Sequence, residues 1–220
     1  MTDLVFLEPN KLGSEPFTTS DVIAAQAQIS YRSVQRMIER HENDLAEFGQ
    51  VRFQITPVKY ARGTNDKKIY QLNEQQATLL ITYLKNTPPV RQFKKDLVQE
   101  FYRMRRELTR RQIFRDAGKP IRRTLTDAIR DSGEDGRMHG HAYGTYTDLA
   151  YKAATGKIAR ILRKERGACA KAIATDFLTS DELSAYNKAE ERLTVLLDMG
   201  LTYDQIKTLL LVQTSKRLAG

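Results

Sequence analysis

The apolar positions of the first hundred residues change period twice, and each change predicts a change of secondary structure. Thr18, Thr19, Ser20 and Asp21 offer N-cap oxygens ahead of Val22, Ile23, Ala24, Ala25 and Ala27, and Ser30 offers another ahead of Val34, Met37 and Ile38. Ala27, Gln28 and Ile29 leave only a tight turn between them, so this stretch reads as helix, turn, helix. The second helix buries Val34, Met37 and Ile38 on one face and leaves Tyr31, Arg32, Ser33, Gln35, Arg36, Glu39 and Arg40 on or near the other. After Gly49 the pattern becomes alternation, with Val51, Phe53 and Ile55 against Arg52, Gln54 and Thr56. A second run, Lys68, Ile69, Tyr70, Gln71 and Leu72, pairs back across residues 61–67, which are rich in turn formers and basic side chains. The prediction is a β-hairpin with a long basic tip. Asn73 and Gln76 then form a capping box ahead of Ala77, Leu79, Leu80, Ile81 and Leu84, and Pro88 and Pro89 end that helix.

From Val90 the apolar residues fall at Val90, Phe93, Leu97, Phe101, Met104 and Leu108, the spacing of a long amphipathic helix with a seam. Phe93, Leu97, Phe101, Met104 and Leu108 are too wide and aromatic a strip for water, so they cover either their own N-terminal domain or a second copy; the second copy is the favoured reading. Gly118, Lys119 and Pro120 predict the end of this helix and the start of a second, helical domain. In that domain Thr179 and Glu182 form a capping box, Gly200 stops the helix that follows, and Thr202 with Gln205 caps the last one. The first 17 residues read as an arm or short edge strand near Leu4 to Leu7. The expected fold is α+β and mainly helical: a winged-helix-like N-terminal domain over residues 1–89, a long connecting helix over 90–117 and a C-terminal helical domain over 118–220.

Composition narrows the class. The 220 residues, 40% hydrophobic and 29% charged with a single cysteine, suit a globular chain from a reducing compartment that needs no disulfide. No apolar run is long enough for a membrane span and the start lacks the pattern of a signal peptide, so the expected location is the cytoplasm, with no membrane partner. The formal charge of +9 is concentrated: residues 85–123 carry 13 Lys and Arg against 4 Asp and Glu, and the rest of the chain sums to zero. Such a patch attracts polyanions, of which nucleic acid is the commonest.

Chemistry of the catalytic kind has little support. His139 and His141 could offer two imidazoles, but their neighbourhood holds no cysteine and its nearest carboxylates, Glu134 and Asp135, lie in a loop; the better reading packs His139, His141, Tyr143 and Tyr146 against the domain or a partner. Cys169, in an Ala-rich stretch that reads as helical, is expected to act as a small buried side chain. Neither a P-loop nor a Gly-x-Ser-x-Gly elbow occurs. The expectation is a non-enzyme with no cofactor and no metal.

The helix-turn-helix and hairpin meet a different need. A major groove about 12 Å wide admits one helix, and Tyr31, Arg32, Ser33, Gln35, Arg36 and Arg40 present donors of the kind base edges require. A hairpin following that helix reaches the DNA backbone or minor groove as a wing, with Lys59, Arg62, Lys67 and Lys68 supplying charge and Thr64 and Asn65 supplying hydrogen bonds.

The order of these parts resembles the N-terminal region of the phage regulatory protein Rha family. The likeness is carried by the run from Phe17, Thr18, Thr19, Ser20, Asp21, Val22, Ile23 and Ala24 through Ser33 and Val34 to Leu45, Ala46, Glu47, Phe48 and Gly49. It continues in Ile69, Tyr70, Gln71 and Leu72, in Leu79 and Leu80, and from Lys94 to Met104. It spans residues 17–108. The hairpin tip lacks the Asn-Gly-Arg-type turn associated with that family. Residues 138–143 and 146–149 also look like C-terminal modules attached to phage regulators. The resemblance implies a temperate-phage or prophage regulator in a bacterial cytoplasm. Two functions follow: a homodimeric transcriptional regulator binding double-stranded DNA sequence-specifically, or an antirepressor that acts by binding a phage repressor or a host regulatory protein.

Overall fold

In the computed structural model, which describes residues 3–7, 15–60 and 63–218, local capping chemistry sets several of the helix starts. Nothing is described of the side chains at 59, 60, 63–65 and 212–218. The chain divides into two units, Met1–Arg106 and Glu107–Gly220.

The first unit begins with Phe6 bridging to Phe17, the start of strand β1 (Phe17–Thr19). Thr19 caps helix α1 (Ser20–Ala27) by accepting from the Val22 amide, and Ser30 caps α2 (Tyr31–Arg40) by accepting from Ser33. Between them Gln28 takes the left-handed conformation, which lets the turn stay as short as the sequence predicts. A short α3 (Glu42–Ala46) leads to the hairpin β2 (Arg52–Tyr60) and β3 (Gly63–Asn73). The sheet is antiparallel in the order β1-β3-β2. Pairing runs from Arg52 opposite Gln71 to Tyr60 opposite Gly63, so residues 63–67, expected as a loop, are strand; the connection at 61–62 lies outside the described residues. Ladder hydrogen bonds between two polar strands outweigh the turn preference of Gly63, Asn65 and Asp66. Pro57, which has no N–H to give a ladder, sits on an edge strand where that lack is tolerated.

Asn73 and Gln76 make both halves of the expected capping box at the start of α4 (Glu74–Tyr83). Pro88 and Pro89 open the next helix, α5 (Pro88–Asp131), where fixed φ and a missing N–H cost nothing. The core of the first unit gathers Ile23, Val34, Ile38, Leu45, Tyr70, Leu72 and Leu80 with Phe93, Leu97 and Phe101 of α5, and Met104 packs against it. Most of the α5 seam is therefore covered inside its own unit, which removes the reason for a second copy there; Leu108 is half-buried.

The helix break expected at Gly118–Pro120 does not form: α5 continues to Asp131 with Pro120 inside it. Proline in a helix interior costs about 3 kcal/mol. Beyond it Leu125 and Ile129 are fully buried in the second core, and each contributes about 1.5 to 3 kcal/mol, enough to hold the continuation. Gly118 is a point of close approach. A Cβ there would stand 2.7 Å from the side-chain oxygen of Asn187, whose amide donates to the Phe114 carbonyl at 2.7 Å.

The second unit continues with α6 (Glu134–Arg137), α7 (Ala142–Thr155), α8 (Ala159–Glu165), a 3₁₀ turn at Ala174–Phe177, α9 (Ser180–Asp198) and α10 (Tyr203–Leu218). Thr179 and Glu182 make both bonds of the predicted capping box on α9. Leu149, Tyr186, Leu193, Leu197 and Ile206 fill the core. Glu190, 1% exposed, is satisfied by Arg122 Nη1 at 2.8 Å and the Tyr186 hydroxyl at 2.8 Å. Burial raises the Tyr186 pKa, so the phenol stays protonated and donates. Tyr146 donates in the same way to buried Glu134. Cys169, expected to be buried in a helix, is exposed: Gly167 at φ +67° ends α8 before it. His139 and His141 are exposed too. Among the described residues no helix is long and apolar enough to cross a membrane.

Candidate nucleic-acid interface

Val34 and Ile38 anchor α2 in the core, and this decides what its other faces can do. Arg32, Arg36 and Arg40 recur at intervals of four, so they form one stripe away from the core. All three are exposed, and none makes an ion pair with a described residue. Ser33, next to the stripe, is exposed but shares a 2.7 Å hydrogen bond with the capping Ser30.

The other side of α2 meets the hairpin. Beyond the end of β1 the outer edge of β3 would leave backbone groups without partners, and the helix-turn-helix supplies them. Ser20 Oγ accepts from the Tyr70 amide at 3.0 Å, and the Tyr31 hydroxyl donates to the Lys68 carbonyl. Burial lifts the Tyr31 phenol above its ordinary pKa, which keeps it a donor at neutral pH. Further along, the Tyr70 hydroxyl donates to Glu39 Oε1 at 3.2 Å, and Gln35 donates to the same oxygen at 2.9 Å.

The two described lysines of the expected wing are drawn into the same joint. Lys67 Nζ lies 2.7 Å from Asp21 at the start of α1 and 4.3 Å from the centre of the Tyr31 ring. Lys68 Nζ stands over the rings of Phe53 at 4.1 Å and Tyr70 at 4.7 Å. Contact with the Tyr70 phenol raises the Lys68 pKa, so it remains a cation. Lys59, Thr64 and Asn65 lie in paired strand, but their side chains are outside the described residues, as is Arg62 entirely.

The predicted residues therefore separate by place. Arg32, Ser33, Arg36 and Arg40 share an open helix face, while Tyr31 and Lys67 join the hairpin to the two helices, Gln35 bonds Glu39 within α2, and the Lys68 ammonium stands over rings of the hairpin itself. Sequence reasoning missed Ser20, Asp21, Glu39 and Tyr70, the other halves of these contacts. Only the pairing register, which brings Lys67 and Tyr70 back to α1 and α2, could have revealed them.

The expected order of helix, tight turn, helix and two-stranded hairpin is thus present, followed by helices α4 and α5. Residues 18–106 match the family described as phage regulatory protein Rha. No curated protein matches the chain.

Proposed function

We propose that this protein is a phage or prophage transcriptional regulator that binds duplex DNA sequence-specifically, with α2 in the major groove and the hairpin beside it as a wing. The observation that carries this reading is the stripe of Arg32, Arg36 and Arg40, exposed and without ion pairs among the described residues, on a helix bonded to the hairpin at both ends, through Tyr31 and Glu39. Among the described residues those arginines have no carboxylate partner, and guanidinium forks match guanine edges and phosphate oxygens. The reading includes a bacterial cytoplasm and two copies on paired half-sites; light scattering at micromolar concentration checks the latter, and a monomeric mass removes it. DNA selection from a random duplex pool, followed by fluorescence anisotropy across a salt series, tests the whole. Enrichment of one sequence is expected, with Arg36→Ala weakening binding by about 1 to 3 kcal/mol and relaxing one position of the site. Equal affinity for every duplex refutes sequence-specific reading.

A second reading, an antirepressor that binds a phage repressor or host regulatory protein, draws on the second unit, where Val195, Met199 and Leu209 are large apolar side chains left in water. Stoichiometric co-purification with a repressor encoded beside it, and no shift of any duplex by the intact chain, would favour that reading.

A further inference from the structure

Helix α5 carries a second face that folding does not use. Its seam of Phe93, Leu97 and Phe101 is buried, and its acidic residues are engaged: Glu100 with Arg103, Asp96 with Gln92. Arg105 is held by Glu74 and Lys94 by the Leu84 carbonyl and Asn86. On the side away from the core stand Arg91, Lys95, Val98, Tyr102 and Arg106, at spacings of four, three, four and four. None of the three cations there pairs with a described carboxylate, and Val98 and Tyr102 are 38% and 56% exposed. Like charges at i and i+4, as at Arg91 and Lys95, repel, so this arrangement works slightly against the helix.

We propose that this stripe is a second DNA contact, in which Arg91, Lys95 and Arg106 neutralise phosphates and Tyr102 lies against the sugar-phosphate chain, outside the bases read by α2. The inference rests on the reading of the chain as a duplex-binding protein. Fifteen residues at 1.5 Å separate Arg91 from Arg106, about 22 Å, a length of duplex axis over which one strand carries some six phosphates at about 3.4 Å of rise each. A second copy is a poor occupant. Antiparallel pairing across Val98 and Tyr102 would bring Arg106 of one chain toward Arg91 and Lys95 of the other, with no acid in the strip to offset them.

The test is the intact triple variant R91Q/K95Q/R106Q, whose substitutions are exposed and keep helix propensity, so its thermal unfolding should match the wild type. Anisotropy over a salt series should show the slope of log K against log salt reduced by about 2.7, or 0.9 for each lost phosphate contact, with the preferred sequence unchanged. Tyr102→Ala should weaken binding to all duplexes alike. An unchanged slope in the triple variant, while Arg36→Ala still weakens binding, overturns this inference and leaves the reading by α2 standing. Unselective wild-type binding whose slope falls in the triple variant supports the stripe and refutes the α2 reading. Conversion of a dimer to a monomer by V98D/Y102D, or binding of poly-glutamate as tightly as duplex, assigns the stripe to a second copy or an acidic protein and overturns it.

Discussion

On the proposed reading of the chain as a DNA-binding protein, Lys67 separates a cation that touches DNA from one that shapes the surface touching it. Its ammonium is 2.7 Å from Asp21, the two side chains being 25% and 33% exposed, and it covers the Tyr31 ring. Replacing Lys67 with alanine removes a half-buried ion pair, worth about 1 kcal/mol at this exposure, and a cation–π contact of about 0.5 to 1 kcal/mol. The expected loss of stability is therefore about 1 to 2 kcal/mol, read from urea unfolding of the intact chain by circular dichroism. The salt slope of DNA binding should stay at the wild-type value, because no phosphate contact is lost. Arg36→Ala should do the reverse, with stability within about 0.5 kcal/mol of wild type and a slope lower by about 0.9 if Arg36 meets a phosphate. Asp21→Ala and the double variant complete a cycle, and the pair should show coupling of at least about 0.5 kcal/mol. A Lys67→Ala protein of unchanged stability whose slope falls by about 0.9 would refute the reasoning and return Lys67 to the DNA surface.

Three further outcomes follow from contacts described above. Tyr70→Phe should cost about 0.5 to 1.5 kcal/mol in urea unfolding by leaving Glu39 with one donor fewer, and a stability equal to wild type would show that this bond contributes nothing. Gly118→Ala should destabilise by about 1 to 2 kcal/mol although alanine is the better helix former by about 1 kcal/mol, because its methyl displaces Asn187 from the Phe114 carbonyl; with Asn187→Ala already present the same change should be neutral or stabilising. Burial alone would raise the pKa of Glu107, but the Ser180 amide and hydroxyl, with Arg111, hold it below the ordinary carboxylate value. Its contribution is thus present above the unfolded pKa, near 4.3, and lost as pH falls through the lower folded one. Glu107→Gln should cost about 1 to 3 kcal/mol at pH 7, with the gap to wild type closing below about pH 4 in a urea series; a gap constant from pH 3 to 7 would contradict this.

What could be read from the chain beforehand follows the range of the forces involved. Thr19, Ser30, Asn73 with Gln76, and Thr179 with Glu182 were legible as caps because a cap and the amide it serves are three residues apart. The face of α2 was legible for the same reason. Gly118 and Pro120 misled because their helix is held by Leu125, Ile129 and Asn187, contacts that spacing along the chain does not show. Lys67 and Lys68 looked like free wing cations because their partners, Asp21, Phe53 and Tyr70, meet them only through the folded hairpin. The same holds for the α5 seam, whose apolar spacing was plain while its partner, the first unit's own core, was not.

The closure of β3 by Ser20 and Tyr31 bears on how safely this chain folds in a crowded cell. A hairpin of nine and eleven residues that projects from its sheet is a template on which an unfolded neighbour can stack strand upon strand toward fibres. Along β3 the template is capped where β1 stops, since two of its main-chain groups already belong to the helix-turn-helix. Along β2 an incoming chain meets Pro57, which has no amide hydrogen to offer and breaks the row. Self-templated assembly is thus obstructed on both flanks, and the hairpin can extend into solvent without the helical cover that shields the rest of the sheet.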